Sequence, residues 1–105
     1  MYRPPAFRED DLGAQHALIR AHPLGLLVTT GAGGLLANPI PFLLDPPTDG
    51  APLGTLRGHL ARANPQGRDH DPAAEALVVF QGIDRYVTPS WYATKRETGK
   101  VVPTW

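Results

Sequence analysis

The chain has 105 residues, and its ten basic side chains balance ten acidic ones, so the net charge at neutral pH is zero. This length allows one small domain, and the charge gives no electrostatic argument for binding nucleic acid or an acidic membrane. The absence of cysteine excludes disulfides and thiolate metal sites. No apolar run has the length of a signal peptide or a membrane span, so we expect a cytoplasmic protein.

The N-terminal part predicts one helix. Twelve prolines and eleven glycines favour short elements, and the first seven residues read as an extended arm. A helix fits residues 10–21, with Asp10 as its cap and a stop at His22 before a proline. His16 and His22 are then a helix-face and a helix-end residue, and they are not predicted as metal ligands.

A glycine-rich turn separates the first two predicted strands. Residues 24–30 form a mostly apolar strand, and residues 31–34 (GAGG) supply the positive φ angles of a hairpin turn. Residues 35–45 form the second strand. Because Pro39 and Pro41 lack N–H groups on the same side, this strand is predicted to be an edge or to be bulged.

The middle of the chain carries the first candidate site. Polar and apolar side chains alternate over residues 53–60, which indicates a strand. Residues 61–64 read as a helical turn that Pro65 ends. Free backbone N–H groups beside His59 and Arg62 would suit a phosphate. On this segment alone, an ordinary strand-to-helix connection with a solvated Arg62 is the favoured interpretation.

The last third alternates between polar and apolar segments. Residues 66–74 are predicted as a polar loop, in which His70 between two aspartates is solvated. Residues 76–80 (ALVVF) predict a buried strand, and residues 85–88 predict another. Ser90 caps a short helix that Gly99 ends. Residues 101–105 begin an extended segment that stops on an aromatic residue, which suggests a fragment.

These elements predict a mainly β fold with short helices, in the α+β class. Five or six short strands form an antiparallel meander, because helices and strands do not alternate as they do in a parallel sheet. A small barrel is the natural closure, since it removes exposed edges.

Several sequence stretches resemble the PaiB family, described as FMN-binding negative transcriptional regulators with a split β-barrel. They are MYRPPAF, HPLGLLVTT, GLLANPIPFLLD, GTLRGHLARANPQ, ALVVFQG and YVTPSWYATKRETGKVVPTW, in this order. The resemblance covers essentially the whole chain. Family members usually continue for roughly as long again, so residues 1–105 would be a split-barrel domain that lacks its C-terminal half.

The resemblance implies an FMN site near a homodimer interface. The candidate phosphate ligands are His59 and Arg62, with Asn64 fixing the turn, because an Arg fork suits phosphate oxygens. The remaining candidates are Lys95 with Ser90 for the phosphate or ribityl chain, Trp91 and Tyr92 for the ring faces, and Asn38 and Thr29–Thr30 for the pyrimidine edge.

Each of these candidates also has a structural interpretation. Trp91 and Tyr92 fit equally well as core residues. Lys95 is also consistent with a solvated helix face, and Asn38 with a residue that only shapes a bulge before Pro39.

The function implied is an FMN-binding repressor without catalytic residues of its own. A flavin-dependent oxidoreductase is the alternative, and the split barrel also hosts haem and pyridoxine-phosphate chemistry, but no acid–base pair stands out. A truncated, non-functional remnant is a further alternative. Ser90 lacks the glycine-flanked turn of a hydrolase nucleophile. Direct DNA binding is not supported, because no helix-turn-helix or basic helix is visible.

Overall fold

A computed structural model describes residues 2–100, which form one open antiparallel sheet with short helices. The strands are β1 (Leu24–Gly31), β2 (Gly34–Asp45), β3 (Thr55–Gly58) and β4 (Leu77–Val79), in the spatial order β3-β2-β1-β4. The helices are α1 (Leu12–Ala21), α2 (Gln66–Asp69) and α3 (Ala93–Thr98), with 3-10 turns at Pro5–Phe7 and Pro89–Trp91. The predicted antiparallel, mainly β class is confirmed, whereas the described strands do not close into a barrel. The extended segment predicted at 101–105 lies outside the described residues.

The β1–β2 hairpin forms as predicted, but β2 is not an edge strand. It lies between β1 and β3, and β3 pairs only with its last four residues, Phe42 to Asp45. Pro39 and Pro41 therefore lie where β2 has β1 as its one neighbour. Because Phe42 donates its N–H to Pro23 O on the β1 side, the alternation of an antiparallel ladder puts both prolines in non-hydrogen-bonded pairs, where no N–H is needed.

The two faces of the sheet differ in coverage. The face that carries Thr29, Asn38 and Ile40, here called the inner face, is covered in part by α2, and Ile40 is only 6% exposed. The opposite, outer face carries exposed apolar side chains: Leu24, Leu26, Leu35, Leu43, Leu77 and Val79. The prediction of a buried strand at 76–80 is therefore wrong for β4, because nothing in the described chain covers its outer side chains.

Helix boundaries differ from the predictions where a cap or a proline decides them. Asp11, not Asp10, caps α1, since its carboxylate accepts from Gly13 N at 2.8 Å. Pro65 precedes a helix instead of ending one, because proline is tolerated at a helix start, where the N–H has no partner. The helix that follows, α2, lies within the segment predicted as a loop. Thr88, not Ser90, caps the 3-10 turn. Gly99 ends α3 at a φ of +69°, as predicted.

The fold is open beyond what its length requires. The radius of gyration is 18.6 Å, whereas a compact domain of this length has about 13 Å. The predicted strand at 85–88 is not one of the four strands of the described sheet. A single layer of sheet with one partly covered face leaves most apolar side chains in contact with water.

Candidate functional site

The candidate site is built on the chain between β3 and α2. We call residues 59–65 the crossing segment, because they lead from the end of β3 to α2 on the inner face. Asn64 N donates to Ala61 O at 2.8 Å, which forms the tight turn in the middle. Within residues 2–100, no residue of the crossing segment forms a hydrogen bond to the sheet. Its position therefore depends on what holds its two ends.

Gln66 holds the α2 end of the crossing segment. Its side chain is 1% exposed. Its amide nitrogen donates to Leu27 O and Thr29 Oγ1, both at 3.0 Å, and lies 3.3 Å from Leu36 O. Its side-chain oxygen accepts from Asn38 Nδ2 at 2.8 Å. One buried side chain thus ties α2 to both β1 and β2. The sequence analysis placed Gln66 in a polar loop and assigned it no role.

The predicted polar candidates next to Gln66 are engaged in this network. Asn64 Oδ1 accepts from the backbone N of Gln66 at 3.0 Å, so it does fix the turn. Asn38 donates one amide N–H to Gln66, and its side-chain carbonyl oxygen remains available as an acceptor. The backbone oxygen of Thr30 accepts from Asp71 N at 2.7 Å. These groups shape the segment, and only part of their hydrogen-bonding capacity remains for a ligand.

The two predicted phosphate residues face solvent. His59 and Arg62 are exposed, and neither forms an ion pair within residues 2–100. His59 is on the rim of a groove of about 440 Å³ at the β2–β3 end of the sheet. The groove is lined mainly by apolar side chains and two basic ones: Pro23, Pro41, Phe42, Leu43, Arg57 and His59. An apolar lining with an arginine and a histidine suits a flat ring that carries an anionic group.

Arg57 is a groove residue that the sequence analysis did not select. Its Nε and Nη2 donate to the two carboxylate oxygens of Asp45 at 2.5 and 2.8 Å. This hydrogen-bonded pairing lowers the pKa of Asp45 and raises the pKa of Arg57. Two of the five guanidinium N–H groups are used, and the others remain available. The signal was present in the sequence, since Arg57 alternates with His59 on one strand face.

The aromatic candidates lie apart from the crossing segment. Ser90 and Trp91 belong to the 3-10 turn, and Lys95 lies on α3. Trp91 is 68% exposed and Tyr92 is 40% exposed, so the interpretation of both as core residues is wrong. Within residues 2–100, no hydrogen bond or ring contact joins this group to His59 or Arg62. One chain therefore holds two separate candidate groups.

The described residues contain neither a metal-binding cluster nor a membrane-spanning helix. Residues 2–100 contain no group of three or more His, Cys, Asp or Glu side chains that could hold a metal ion. In the same part of the chain, the helices are too short to cross a membrane.

The comparisons with known proteins agree on a family. The family model described as "Putative FMN-binding domain" matches residues 1–105. An uncharacterized protein of Emericella nidulans is 38% identical, over all of this chain and 51% of that relative. An uncharacterized protein of Saccharomyces cerevisiae is 32% identical, over all of this chain and 71% of its length. "Protease synthase and sporulation protein PAI 2" of Bacillus subtilis is 30% identical, over all of this chain and 47% of its length.

The match with the Bacillus protein and the family model confirm the resemblance predicted from the sequence motifs. The chain spans about half the length of the relatives from Emericella and Bacillus. The activities and partners of those longer proteins are therefore not assigned to this chain by the matches.

Proposed function

The chain belongs to the family of FMN-binding domains that this model defines, with FMN as its cofactor, and we propose that it holds the flavin as a regulatory protein of PaiB type. The phosphate lies at His59 and Arg62. The groove beside His59 takes apolar parts of the flavin. The proposed role is to sense or carry the flavin, and the chain supplies binding and orientation to chemistry that belongs to the cofactor.

The observation that carries this proposal is the groove with His59 on its rim. Its volume of about 440 Å³ lies within the range of about 300–1,000 Å³ that is usual for small-molecule sites. Arg57 and His59 supply basic donors to the groove, and Arg62 follows three residues later on the crossing segment. His59 and Arg62 have no acidic partner in the described residues. The donor set thus fits a phosphate ester, since a guanidinium fork matches two phosphate oxygens.

A homodimer with the flavin at its interface is the second part of the proposal. The six apolar side chains of the outer face form a patch of the kind that marks an interaction surface. The aromatic group at Trp91 and Tyr92 is not joined to the crossing segment of its own chain. In the proposed dimer, Trp91 and Tyr92 of one protomer lie next to the phosphate-binding residues His59 and Arg62 of the other. Closure of the open sheet into a split barrel belongs to the same proposal.

The regulatory role rests on the family resemblance. The net charge of zero favours regulation through another partner over direct contact with DNA. A cytoplasmic location stays a prediction. The alternative is a flavin-dependent oxidoreductase. An NADH oxidation assay distinguishes it from the regulatory protein: oxidation that depends on added FMN and exceeds the rate of a free-flavin control would support the oxidoreductase.

The experiment that tests the proposal is a titration of the full chain and two arginine variants with FMN. Arg62→Ala removes the proposed phosphate contact, whereas Arg68→Ala removes an exposed arginine of α2 six residues away. We expect Arg62→Ala to weaken FMN binding about tenfold or more, as the loss of a charge-assisted contact would. Arg68→Ala is expected to bind as the unaltered chain does. Equal affinities for all three chains would overturn the assignment of Arg62.

A further inference from the structure

Gln66 is the side chain that attaches the α2 end of the crossing segment to the sheet. In the described part of the chain, residues 59–65 form hydrogen bonds among themselves and with the α2 residues 66–69. Gln66 in turn makes four side-chain contacts with β1 and β2. The crossing segment also carries both proposed phosphate ligands, His59 and Arg62. The segment therefore starts at β3, next to His59, and its other end, beyond Arg62, is fixed by Gln66.

The chemistry of the Gln66 site makes this attachment specific. Its amide nitrogen donates to two backbone carbonyls and a hydroxyl, while its oxygen accepts from Asn38. Only a side chain with both donors and an acceptor satisfies this set, which a carboxylate or a thioether of similar length does not. No buried polar side-chain atom of the described residues is left without a partner. The site is thus fully satisfied, and a satisfied buried network is rigid.

We propose that Gln66 is a positioning residue for phosphate recognition: it holds the crossing segment in place so that His59 and Arg62 are preorganised for a phosphate ester. This inference rests on the proposed function. A segment that is ordered before binding does not lose conformational entropy on binding, and affinity rises accordingly. Gln66 touches no ligand itself. Its partners Asn38 and Thr29 are held by the β1–β2 ladder as well, so the loss of Gln66 acts on the crossing segment and on the phosphate end of the flavin.

The test compares FMN with riboflavin, which has the same ring and lacks the phosphate. The variant Gln66→Met keeps the length of the side chain and removes its four side-chain hydrogen bonds, while the backbone N–H of residue 66 can still donate to Asn64. Val78→Ala is the matched control, since Val78 is a half-buried residue of β4 that pairs with Leu27 and forms none of the Gln66 side-chain hydrogen bonds. Thr29→Val is the milder second variant, because it removes one acceptor of the Gln66 amide and keeps the shape. Amide hydrogen exchange over residues 59–65 is measured on all chains without ligand.

We expect Gln66→Met to weaken FMN binding by about tenfold, equivalent to ~1.4 kcal/mol, and to leave riboflavin binding unchanged. Thr29→Val shifts FMN affinity in the same direction by less, and exchange over residues 59–65 rises in both variants. Val78→Ala lowers stability without changing the ratio of the two affinities. Should Gln66→Met weaken FMN and riboflavin equally, or leave exchange over residues 59–65 unchanged, the positioning role is wrong. If the unaltered chain binds no FMN, the proposed function fails, and the exchange data alone then decide whether Gln66 orders the segment.

Discussion

Asn38 on β2 donates a hydrogen bond of 2.8 Å to the side-chain oxygen of Gln66, which lies 28 residues later at the start of α2. The bond joins an internal strand to the segment that carries the proposed phosphate ligands. Gln66 is buried and Asn38 is half-buried, so neither partner is replaced by water without cost. The pair makes the sheet and the candidate site parts of one structure.

Replacing Asn38 with alanine tests this connection. The change leaves the buried oxygen of Gln66 without a donor, which is expected to cost about 1–3 kcal/mol of the free energy of unfolding. Urea denaturation of the full chain measures it. The control is Gln81→Ala, which removes an exposed hydrogen bond to Asp84 and is expected to change stability by less than ~0.5 kcal/mol. Equal losses for the two variants would show that the buried bond contributes nothing.

The close approach of Gly31 to the chain after α2 provides a second test. A Cβ atom at Gly31 would lie 1.8 Å from the backbone oxygen of Asp69, so alanine forces the backbone of that segment to move. We expect Gly31→Ala to lower the free energy of unfolding by about 1–3 kcal/mol. Amide exchange at Asp71, whose N–H bonds Thr30 O, is expected to rise.

Gly33→Ala is the matched control for this change, because nothing lies within 4 Å of a Cβ atom built there. Its stability is expected to match that of the unaltered chain to within ~0.5 kcal/mol. A Gly31→Ala chain as stable as the Gly33→Ala chain would mean that the Asp69 segment does not pack against β1 in solution.

The Asp45–Arg57 pair predicts a pH dependence of stability. Its hydrogen bonds hold the pKa of Asp45 below the ordinary value of 3.8 in the folded chain. The stabilisation by the pair is therefore fully present above that ordinary value, and it is lost as the pH falls through the lower folded pKa. Asp45→Asn is expected to flatten the decline in stability over this acid range. The effect is small because the pair is exposed.

Denaturation curves recorded between about pH 6 and pH 2.5 measure the effect of the pair. Asp49→Asn serves as the control, since Asp49 is exposed and forms no ion pair in the described residues. If Asp45→Asn and Asp49→Asn chains lose stability in parallel with the unaltered chain, the pair does not form in solution.

The exposed outer face predicts self-association. Leu24 lies on this face, is 62% exposed and does not line the groove. A lysine at this position places a charge where the proposed interface buries apolar surface, so Leu24→Lys is expected to convert a dimer into a monomer. Sedimentation velocity of both chains measures the change. Ile83→Lys, at an exposed position outside the sheet, is expected to leave the dimer intact. A dimer that tolerates Leu24→Lys would place the interface elsewhere.

Local patterns in the sequence were sufficient to predict the hairpin and the helix before it. The apolar runs at β1 and β2 and the glycines between them are patterns of neighbouring residues, and the structure confirms both strands. The Gly99 cap is local in the same way. The position of β2 within the sheet could not be predicted, because it depends on which strand pairs with its last four residues.

Burial and the role of Gln66 depend on contacts between distant residues. Gln66 bonds to residues 28 to 39 positions away, and no periodicity encodes such contacts. The apolar composition of β4 predicts a buried strand, because apolar residues usually lie on a covered face. Coverage requires a second layer, which the described chain does not supply. The chemical types of His59 and Arg62 are enough to predict them as phosphate ligands. Arg57 becomes a candidate only when the structure shows that it lines the groove.

The most direct test of the account is a titration of the unaltered chain with FMN, followed by flavin fluorescence and by light scattering on a sizing column. The account predicts saturable quenching and a complex with the mass of a dimer. A chain that unfolds cooperatively in urea, and is therefore folded, but leaves FMN fluorescence unchanged at every concentration would contradict it.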